Sequence, residues 1–531
     1  MCKCCSDLIG FGKTYISITA AIVYMLQHPD TDTIILCPQC AVKAFKRELT
    51  EKVKVSFNLL TSAKPIIQPG ARIHVITHSA LKKYLNFIDE LHNAGRKLIL
   101  MIDEAQILQD SNNQFYQMLA PKRPFFSIVW ELTATPLGNS LIGLYWLLYF
   151  LNPKIVGSLA QFKANYFIIK INKIKRWVGK YPNKRQVTFN EEVIVGYKNL
   201  DKLSEILKNY VKIKQKKYNL VWHYHKFDLT EAETIQYLTA GQGLKRETSE
   251  KNFAVRLHDL QMVVDNLEIP IDKTVLKYKL EEKLKKENNG VIDEEKLKYL
   301  YKTILSKSSE NRKANIMESE LSSKELAYIQ VIKEELVKGR PVLTYLDYAD
   351  VVDRLEKILR EYSYELGVKQ VLKVTGGISL KERELVEESI EAGTVVLITS
   401  AGTESINLQK SNSIIFYDTP FSVLTFIQAV GRITRMDSKY NEQHVHIMEA
   451  TGTIDSYKRL CIMMNANLIE AIFGGIETLP TEMLKIDKGF QGELRKQLLW
   501  CFDSDKLLTE QEMKDMIMAE VEKRGKKDYR I

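Results

Sequence analysis

The sequence predicts an α/β protein of two lobes. Each lobe is a parallel sheet covered by helices, with a charged helical insertion between the lobes and a helical C-terminal extension behind them. Three observations predict it. Short continuous apolar runs alternate with helical patterns over residues 33–132, and the same grammar restarts near residue 322. Continuous runs, as opposed to alternating ones, mark strands buried on both faces. The runs end in segments that carry chemistry, at the strand ends where open parallel sheets bind ligands.

The first lobe opens on Gly10-Phe11-Gly12-Lys13-Thr14, followed by a helical pattern over 15–27 with Ile16, Ile18, Ala20, Ala21, Val23 and Tyr24 apolar. Gly10 and Gly12 would let backbone N–H groups approach a phosphate, and the helix N-terminus favours the anion. Lys13 would reach the β- and γ-phosphates of ATP, and the Thr14 hydroxyl would ligate Mg²⁺. Asp7 stands where the usual GxxxxGK[ST] pattern has its first glycine. Apolar runs follow at 33–37, 73–77, 98–102 and 128–132, separated by helical patterns at 41–52 and 80–94, and they end at Pro38, Thr77, Asp103 and Thr133. Asp103 would hold Mg²⁺ through water, and Glu104 would orient and deprotonate the attacking water. Two adjacent buried carboxylates without a cation would be costly. Gln106 could sense the γ-phosphate by hydrogen bonding. Thr133-Ala134-Thr135-Pro136 places small hydroxyl residues where they could link the nucleotide site to a neighbouring one.

Residues 151–190 contain nine Lys or Arg and no Asp or Glu. Trp177 and Tyr181 interleave with Lys173, Lys175, Arg176, Lys180, Lys184 and Arg185. That pattern suits nucleic acid, with an affinity that falls as salt rises; a solvated basic loop is the bland alternative. Residues 240–321 are charged and helical, with a turn at Asn288-Asn289-Gly290 between helices over 273–287 and 293–306.

The second lobe has apolar runs at 341–345, 371–374, 394–398, 413–417 and 444–448, with helices at 323–338, 349–361 and 380–391. Thr399, Gly402 and Asn407 follow a strand and would line a cleft. Gln428, Arg432 and Arg435 lie in Gln428-Ala429-Val430-Gly431-Arg432-Ile433-Thr434-Arg435. On a helix, Arg432 and Arg435 share a face, and a planar charged fork suits a phosphoryl group gaining charge in its transition state. Arginine fingers of this kind supply about 10³–10⁵ in rate.

Composition bounds the remaining classes. A net charge of +10 favours a polyanionic partner. No apolar run reaches the ~18–20 residues that span a bilayer, so no membrane partner is expected. Met1–Asp7 lead directly into the phosphate loop, so no secretory signal is expected and the chain is placed in the cytoplasm. Seven cysteines are too unevenly placed for a disulfide framework. Cys37-Pro38-Gln39-Cys40 lacks a second ligand pair for zinc, and a buried strand ending at Pro38 accounts for it. His223 and His225, and His444 and His446, alternate as strand residues do.

With these residues in hand, the chain resembles the Swi/Snf-like branch of superfamily 2 helicases. The segment LTATPLGNSLIGLYWLLYFLNP is similar to that branch's LTGTPxxNxxxELWxLLxFLxP, followed by Phe162 and Tyr166. ILCPQCAVKAFKREL resembles its strand-Pro segment, with Phe45 where Trp is usual; KFDLTEAETIQYL resembles the stretch closing its first lobe; Ser323-Lys324 resembles the start of its second. GTESINL is similar to GGxGINL, and Gly452-Thr453-Ile454-Asp455 to the GTIDE after the last motif. The resemblance implies two RecA-like lobes, with the first over 1–239, the insertion over 240–321, the second over 322–475 and the extension over 476–531. It implies an ATP-dependent motor tracking on duplex DNA and remodelling protein–DNA or branched DNA, with DNA contacted near Pro38, Thr77, Thr375, Gly376 and Thr399 to Asn407. ATP is the sole small-molecule substrate it implies.

This sequence departs from the family in places. Only six residues precede Asp7, where the family has an adenine-reading glutamine segment. Gln106 replaces the common His, Thr403 and Ser405 replace glycines, and Asp437-Ser438 replaces Gly-Gln. The compact size fits a phage or mobile-element protein, acting in the host cytoplasm. Two other readings stay open: a strand-separating DNA or RNA helicase, and a truncated motor that clamps nucleic acid without turnover.

Overall fold

The computed structural model describes residues 3–7, 13–63, 65–133, 136–138, 140–178, 185–214, 219–245, 250–265, 276–278, 280–281, 284–285, 291–306, 321–376, 378–403, 406, 408–434, 438–473, 506–509, 511–512 and 515. They form two compact units, one comprising 1–218, 422–438 and 464–489, the other 219–421, 439–463 and 490–531.

The first unit is built on a seven-stranded parallel sheet. Its strands are β1 (Lys3–Asp7), β2 (Thr31–Cys37), β3 (Asn58–Leu60), β4 (Ile73–Thr77), β5 (Lys97–Asp103), β6 (Phe126–Leu132) and, after a hairpin, β9 (Val211–Lys214). The order is β3-β4-β2-β5-β6-β1-β9, and every pairing is parallel. The four apolar runs expected here became β2, β4, β5 and β6. Their residues are buried because both faces of the sheet are covered, as continuous Ile/Leu/Val runs require. On one face, Ile18, Ala21 and Met25 of helix Lys13–Gln27 pack with Phe45, Leu49, Ile35, Val75 and Met101. The expected helix at 41–52 is a short 3₁₀ turn, helix Val42–Arg47 and a π turn ending at Lys54, which adopts φ 57°. Helix Leu141–Leu151 is capped by Ser140 and buried along most of its length.

The hairpin is β7 (Phe167–Val178) and β8 (Arg185–Tyr197), antiparallel to each other and joined to neither large sheet.

The second unit has a six-stranded parallel sheet of β10 (Leu220–Phe227), β11 (Val342–Tyr345), β12 (Gln370–Val374), β13 (Thr394–Ile398), β14 (Ser413–Phe416) and β15 (Gln443–Ala450), in the order β10-β15-β14-β11-β13-β12. All five expected runs are strands. Helices Ser323–Val337 and Ala349–Glu361 cover it through Tyr328, Ile332, Val351, Leu355 and Ile358. Ser322 and Glu325 form a reciprocal N-terminal cap that fixes where the first of these helices starts.

One boundary needs correction. Residues 220–227, assigned above to the first lobe, pair along their whole length with β15 in the second sheet. Helices Glu231–Lys245 and Glu250–Val264 follow them there, packing Tyr237, Leu260 and Val264 against Ala450 and Ile454. A strand read from its own residues does not reveal its partner, and the expectation that sequential elements neighbour each other pointed to the wrong sheet. Residues 422–438 group with the first unit and not the second. The helix expected over 293–306 is present as Glu294–Ser306.

Candidate nucleotide and nucleic-acid site

In the first unit the expected residues collect at the carboxyl ends of the strands. Helix Lys13–Gln27 follows β1 and has no acidic residue in its first turn, so no side chain of that turn offsets the positive end of its dipole. Lys13 is its first residue. Thr14 is half-buried, and its carbonyl accepts from the Ser17 hydroxyl at 3.2 Å. Gly10 and Gly12 lie outside the described residues.

Asp103 closes β5, in register with Leu132 of β6. Glu104 then adopts the left-handed conformation, φ 52° and ψ 52°, which a side chain of its kind rarely takes. The sharp turn ends the strand and starts the 3₁₀ segment Ala105–Gln109. It also sets a hydrogen-bonded chain. The Gln106 side-chain amide donates to a Glu104 carboxylate oxygen at 2.7 Å, and the Thr133 hydroxyl donates to the Gln106 carbonyl oxygen at 2.9 Å. Gln106 therefore spans the ends of β5 and β6, an arrangement in which a shift at Thr133 re-aims Glu104. The sequence suggested that Gln106 could sense phosphate and that Thr133 could link sites; the geometry joins those two suggestions in one side chain.

Two supporting residues escaped the sequence analysis. Gln109 donates to the Pro136 carbonyl at 3.0 Å. It lies so close to Gly138 that a Cβ there would meet its Oε1 at 2.1 Å, so it pins the loop after Thr133. His78, directly after Thr77, packs tilted against Phe115, with ring centroids 4.8 Å apart. Burial lowers its pKa to about 4, against the opposing pull of the Leu36 and Asp103 carbonyls. It is a neutral wedge between the Thr77 segment and the end of β5. Only the adjacency of His78 to Thr77 was visible in the sequence. Pro38 precedes the short 3₁₀ turn after β2, and Thr77 is fully buried at the end of β4. Cys37 is buried, with its thiol pKa raised mainly by that burial, as a strand residue should be. Among the described residues no cluster could hold a metal through three or more His, Cys, Asp or Glu side chains.

In the second unit, Thr375 and Gly376 follow β12 and Thr399 follows β13. The Thr399 N–H donates to the Val374 carbonyl at 3.2 Å. Gly402 turns back so tightly that a Cβ on it would meet the same carbonyl at 2.6 Å. The structure therefore brings Thr375, Gly376, Thr399 and Gly402 together. Asn407 lies outside the described residues. Gln428 and Arg432 lie on helix Val423–Ile433, which groups with the first unit, and are buried to 5% and 4% exposure; Arg435 lies outside the described residues. Lys173 is exposed on β7, where Lys175 and Arg176 stand in register opposite Thr188 and Val187.

The Ser323-Lys324 pair acquires a physical reason in the second unit. Fully buried Lys324 donates to Asp265 at 2.6 Å and Asp418 at 2.9 Å, and lies 3.3 Å from an Asp455 oxygen. Gln261 donates to the same three aspartates. Asp455 is the acid of the Gly452-Thr453-Ile454-Asp455 segment. One buried cation thus ties the inserted helix Glu250–Val264 to the ends of β14 and β15.

Two families of known proteins match the chain. The SNF2-related domain matches residues 5–261 and the helicase conserved C-terminal domain residues 323–437. The chain belongs to the Swi/Snf-like branch of the superfamily 2 helicases. Like other members of that superfamily it is a nucleic-acid-dependent ATPase, a helicase-like motor that uses ATP and binds DNA. Among similar proteins, the Uncharacterized ATP-dependent helicase YqhH of Bacillus subtilis is 22% identical over 90% of this chain and 77% of its own length. The DNA repair and recombination protein RAD54-like of Homo sapiens is 22% identical over 85% of this chain, which spans 60% of that protein. The SWI2/SNF2 ATPase core of Sulfolobus solfataricus in complex with double-stranded DNA aligns over 91% of this chain and 92% of its own, at 18% identity and a TM-score of 0.34. The fold of this helicase-like ATPase rests on its two sheets and not on that likeness. Among the described residues no helix is long and apolar enough to cross a membrane.

Proposed function

We propose that this Swi/Snf-like ATPase is a translocase that tracks on duplex DNA and remodels protein–DNA or branched DNA complexes. The observation that carries the reading is the chain from Glu104 through Gln106 to Thr133. It is a device for making the position of a catalytic carboxylate depend on a neighbouring segment.

Lys13 neutralises the β- and γ-phosphates at the helix N-terminus, assisted by the N–H groups of Gly10 and Gly12. The donor set at the strand ends is oxygen only, with the Thr14 hydroxyl and the Asp103 carboxylate. That suits Mg²⁺, which takes one or two protein oxygens and completes its shell with phosphate and water. When bound, the ion screens the phosphate charge. Glu104 orients the attacking water and accepts its proton. Gln428 positions the phosphate, and Arg432 and Arg435 stabilise the charge that develops on the transferred phosphoryl group. Hydrolysis then requires the arginine-bearing segment to close on the phosphate-bearing one, which couples each turnover to a movement. Pro38, Thr77, Thr375, Gly376, Thr399 and Asn407 contact the DNA backbone.

The test is displacement of a third strand from a triplex, without separation of the duplex beneath it. ATP-dependent triplex displacement, lost in Glu104→Gln while ATP binding is kept, supports the translocase. Efficient separation of the duplex would replace it with the helicase reading.

A further inference from the structure

We infer that the β7–β8 hairpin is a duplex-binding prong, a β-ribbon that enters the major groove of the DNA on which the motor tracks; this rests on the translocase reading above. The ribbon pairs from Phe167 opposite Tyr197 to Val178 opposite Arg185. At about 3.3 Å per residue it extends roughly 40 Å, and neither strand joins a large sheet. Its root is held. Phe167 is buried, with ring contacts to Phe162 and Tyr197. The Lys198 N–H donates to the Tyr166 carbonyl at 3.0 Å, and the Asn199 amide to the Asn165 carbonyl at 2.8 Å. A two-stranded ribbon beyond such a root gains little stability of its own, so its length calls for a partner.

The charge is graded along it. Near the root the signs mix, with Lys163 paired to Glu192 at 3.0 Å and Glu191 standing opposite Asn172. Beyond that pair, the strand residues 173–178 and 185–190 carry Lys173, Lys175, Arg176 and Arg185 and no acidic residue. A surface ribbon selected only for solubility intersperses both signs; a single sign concentrated toward the distal end matches a polyanion. Ile171 and Phe189 are exposed at 62% and 42%, which adds apolar surface suited to base edges and thymine methyl groups. The major groove, about 12 Å wide, admits a two-stranded ribbon without deformation of the duplex, and it carries the full base-edge code that the narrower minor groove, at about 6 Å, lacks.

The experiment uses the full chain and a fluorescein-labelled duplex, with affinity read by anisotropy across a salt series. The variant is Lys173→Gln with Lys175→Gln and Arg176→Gln. Losing three phosphate contacts makes the log–log salt slope shallower by about 2–3. A duplex with bulky C5-substituted pyrimidines, which crowd the major groove, binds the wild type on the order of tenfold more weakly and the variant with little change. Should the triple variant unfold at a lower temperature than the wild type, Lys173→Gln alone takes its place, with a slope shallower by about 1. An unchanged slope in a folded variant overturns the prong. So does equal binding of modified and plain duplex by the wild type. Failure of the wild type to bind any nucleic acid defeats the translocase reading instead, which separates the two failures.

Discussion

Replacing Gln106 with Ala removes both hydrogen bonds that join Glu104 to Thr133. The 2.7 Å bond to the carboxylate is charge-assisted, and such bonds contribute about 1.5–3 kcal/mol. The 2.9 Å bond from Thr133 is neutral and contributes about 0.5–1.5 kcal/mol. Glu104 acts on the attacking water only in the transition state, so the first term should enter turnover almost wholly. Gln106→Ala is expected to lower kcat by about 10- to 150-fold, with little change in ATP affinity. Thr133→Val keeps the carboxylate bond and should cost about 2- to 10-fold. Because both act through Gln106, the double variant should be scarcely slower than Gln106→Ala alone. The assay is phosphate release at saturating ATP and duplex DNA, with ATP affinity measured separately using a fluorescent nucleotide. A Gln106→Ala protein within twofold of the wild-type kcat would mean that the Gln106 amide does not hold Glu104 for catalysis. Additive losses in the double variant would mean the residues do not act as one chain.

Three further predictions concern the second unit. Lys324→Ala leaves Asp265, Asp418 and Asp455 buried without their cation. It should cost about 3–5 kcal/mol, read as a lower urea midpoint. On β10 and β15 the paired histidines lie at 3.1 Å for His223 with His444 and 3.0 Å for His225 with His446. Burial holds all four below the usual histidine range, His446 at about 4 despite Glu335 beside it. The unfolded chain therefore takes up protons first as pH falls, so stability present above about pH 6.5 is lost toward pH 4, by about 3 kcal/mol for His446 alone. The surrounding charges are Glu334, Glu335, Lys338, Arg340 and Glu442; depression of the Glu335 pKa extends the loss to lower pH. His446→Gln should flatten the unfolding midpoint between pH 6.5 and 4. Gly452 has φ 75°, and a Cβ there would meet the Leu508 carbonyl at 2.4 Å. Gly452→Ala should cost about 1–3 kcal/mol in backbone strain and release the segment at 506–509, seen as faster proteolytic cleavage near Lys506.

Much of the architecture was legible because β2, β4, β5, β6 and the central strands of the second sheet are continuous apolar runs, and burial on both faces leaves that signature. The elements that escaped carry a weaker one. β1 reads Lys-Cys-Cys-Ser-Asp and β9 Val-Lys-Ile-Lys, short and polar enough to pass for loop. The alternation of His223 and His225 announced a strand, yet nothing local told that its partner would be β15, more than 200 residues on. The hairpin was visible as charge before it was visible as structure, because lysines punctuate the β-branched residues of β7. At the site, residue types and order located Asp103, Glu104 and Thr133 at strand ends. The bridge through Gln106 was not legible, because it depends on the left-handed turn at Glu104, which no neighbouring glycine announces. Nor was the buried Lys324 cluster, whose acidic and amide partners come from three separate segments, Gln261 and Asp265 from the end of one helix and Asp418 and Asp455 from two others.

The most direct test of the central claim is ATP turnover by the full chain, measured without nucleic acid and then with single-stranded DNA, duplex DNA and RNA. Low turnover alone, selective stimulation by duplex DNA, and loss of that stimulated rate in Lys13→Ala are expected. Stimulation by single strands in preference to duplex, or a folded protein with no turnover under any of the four conditions, would contradict the claim.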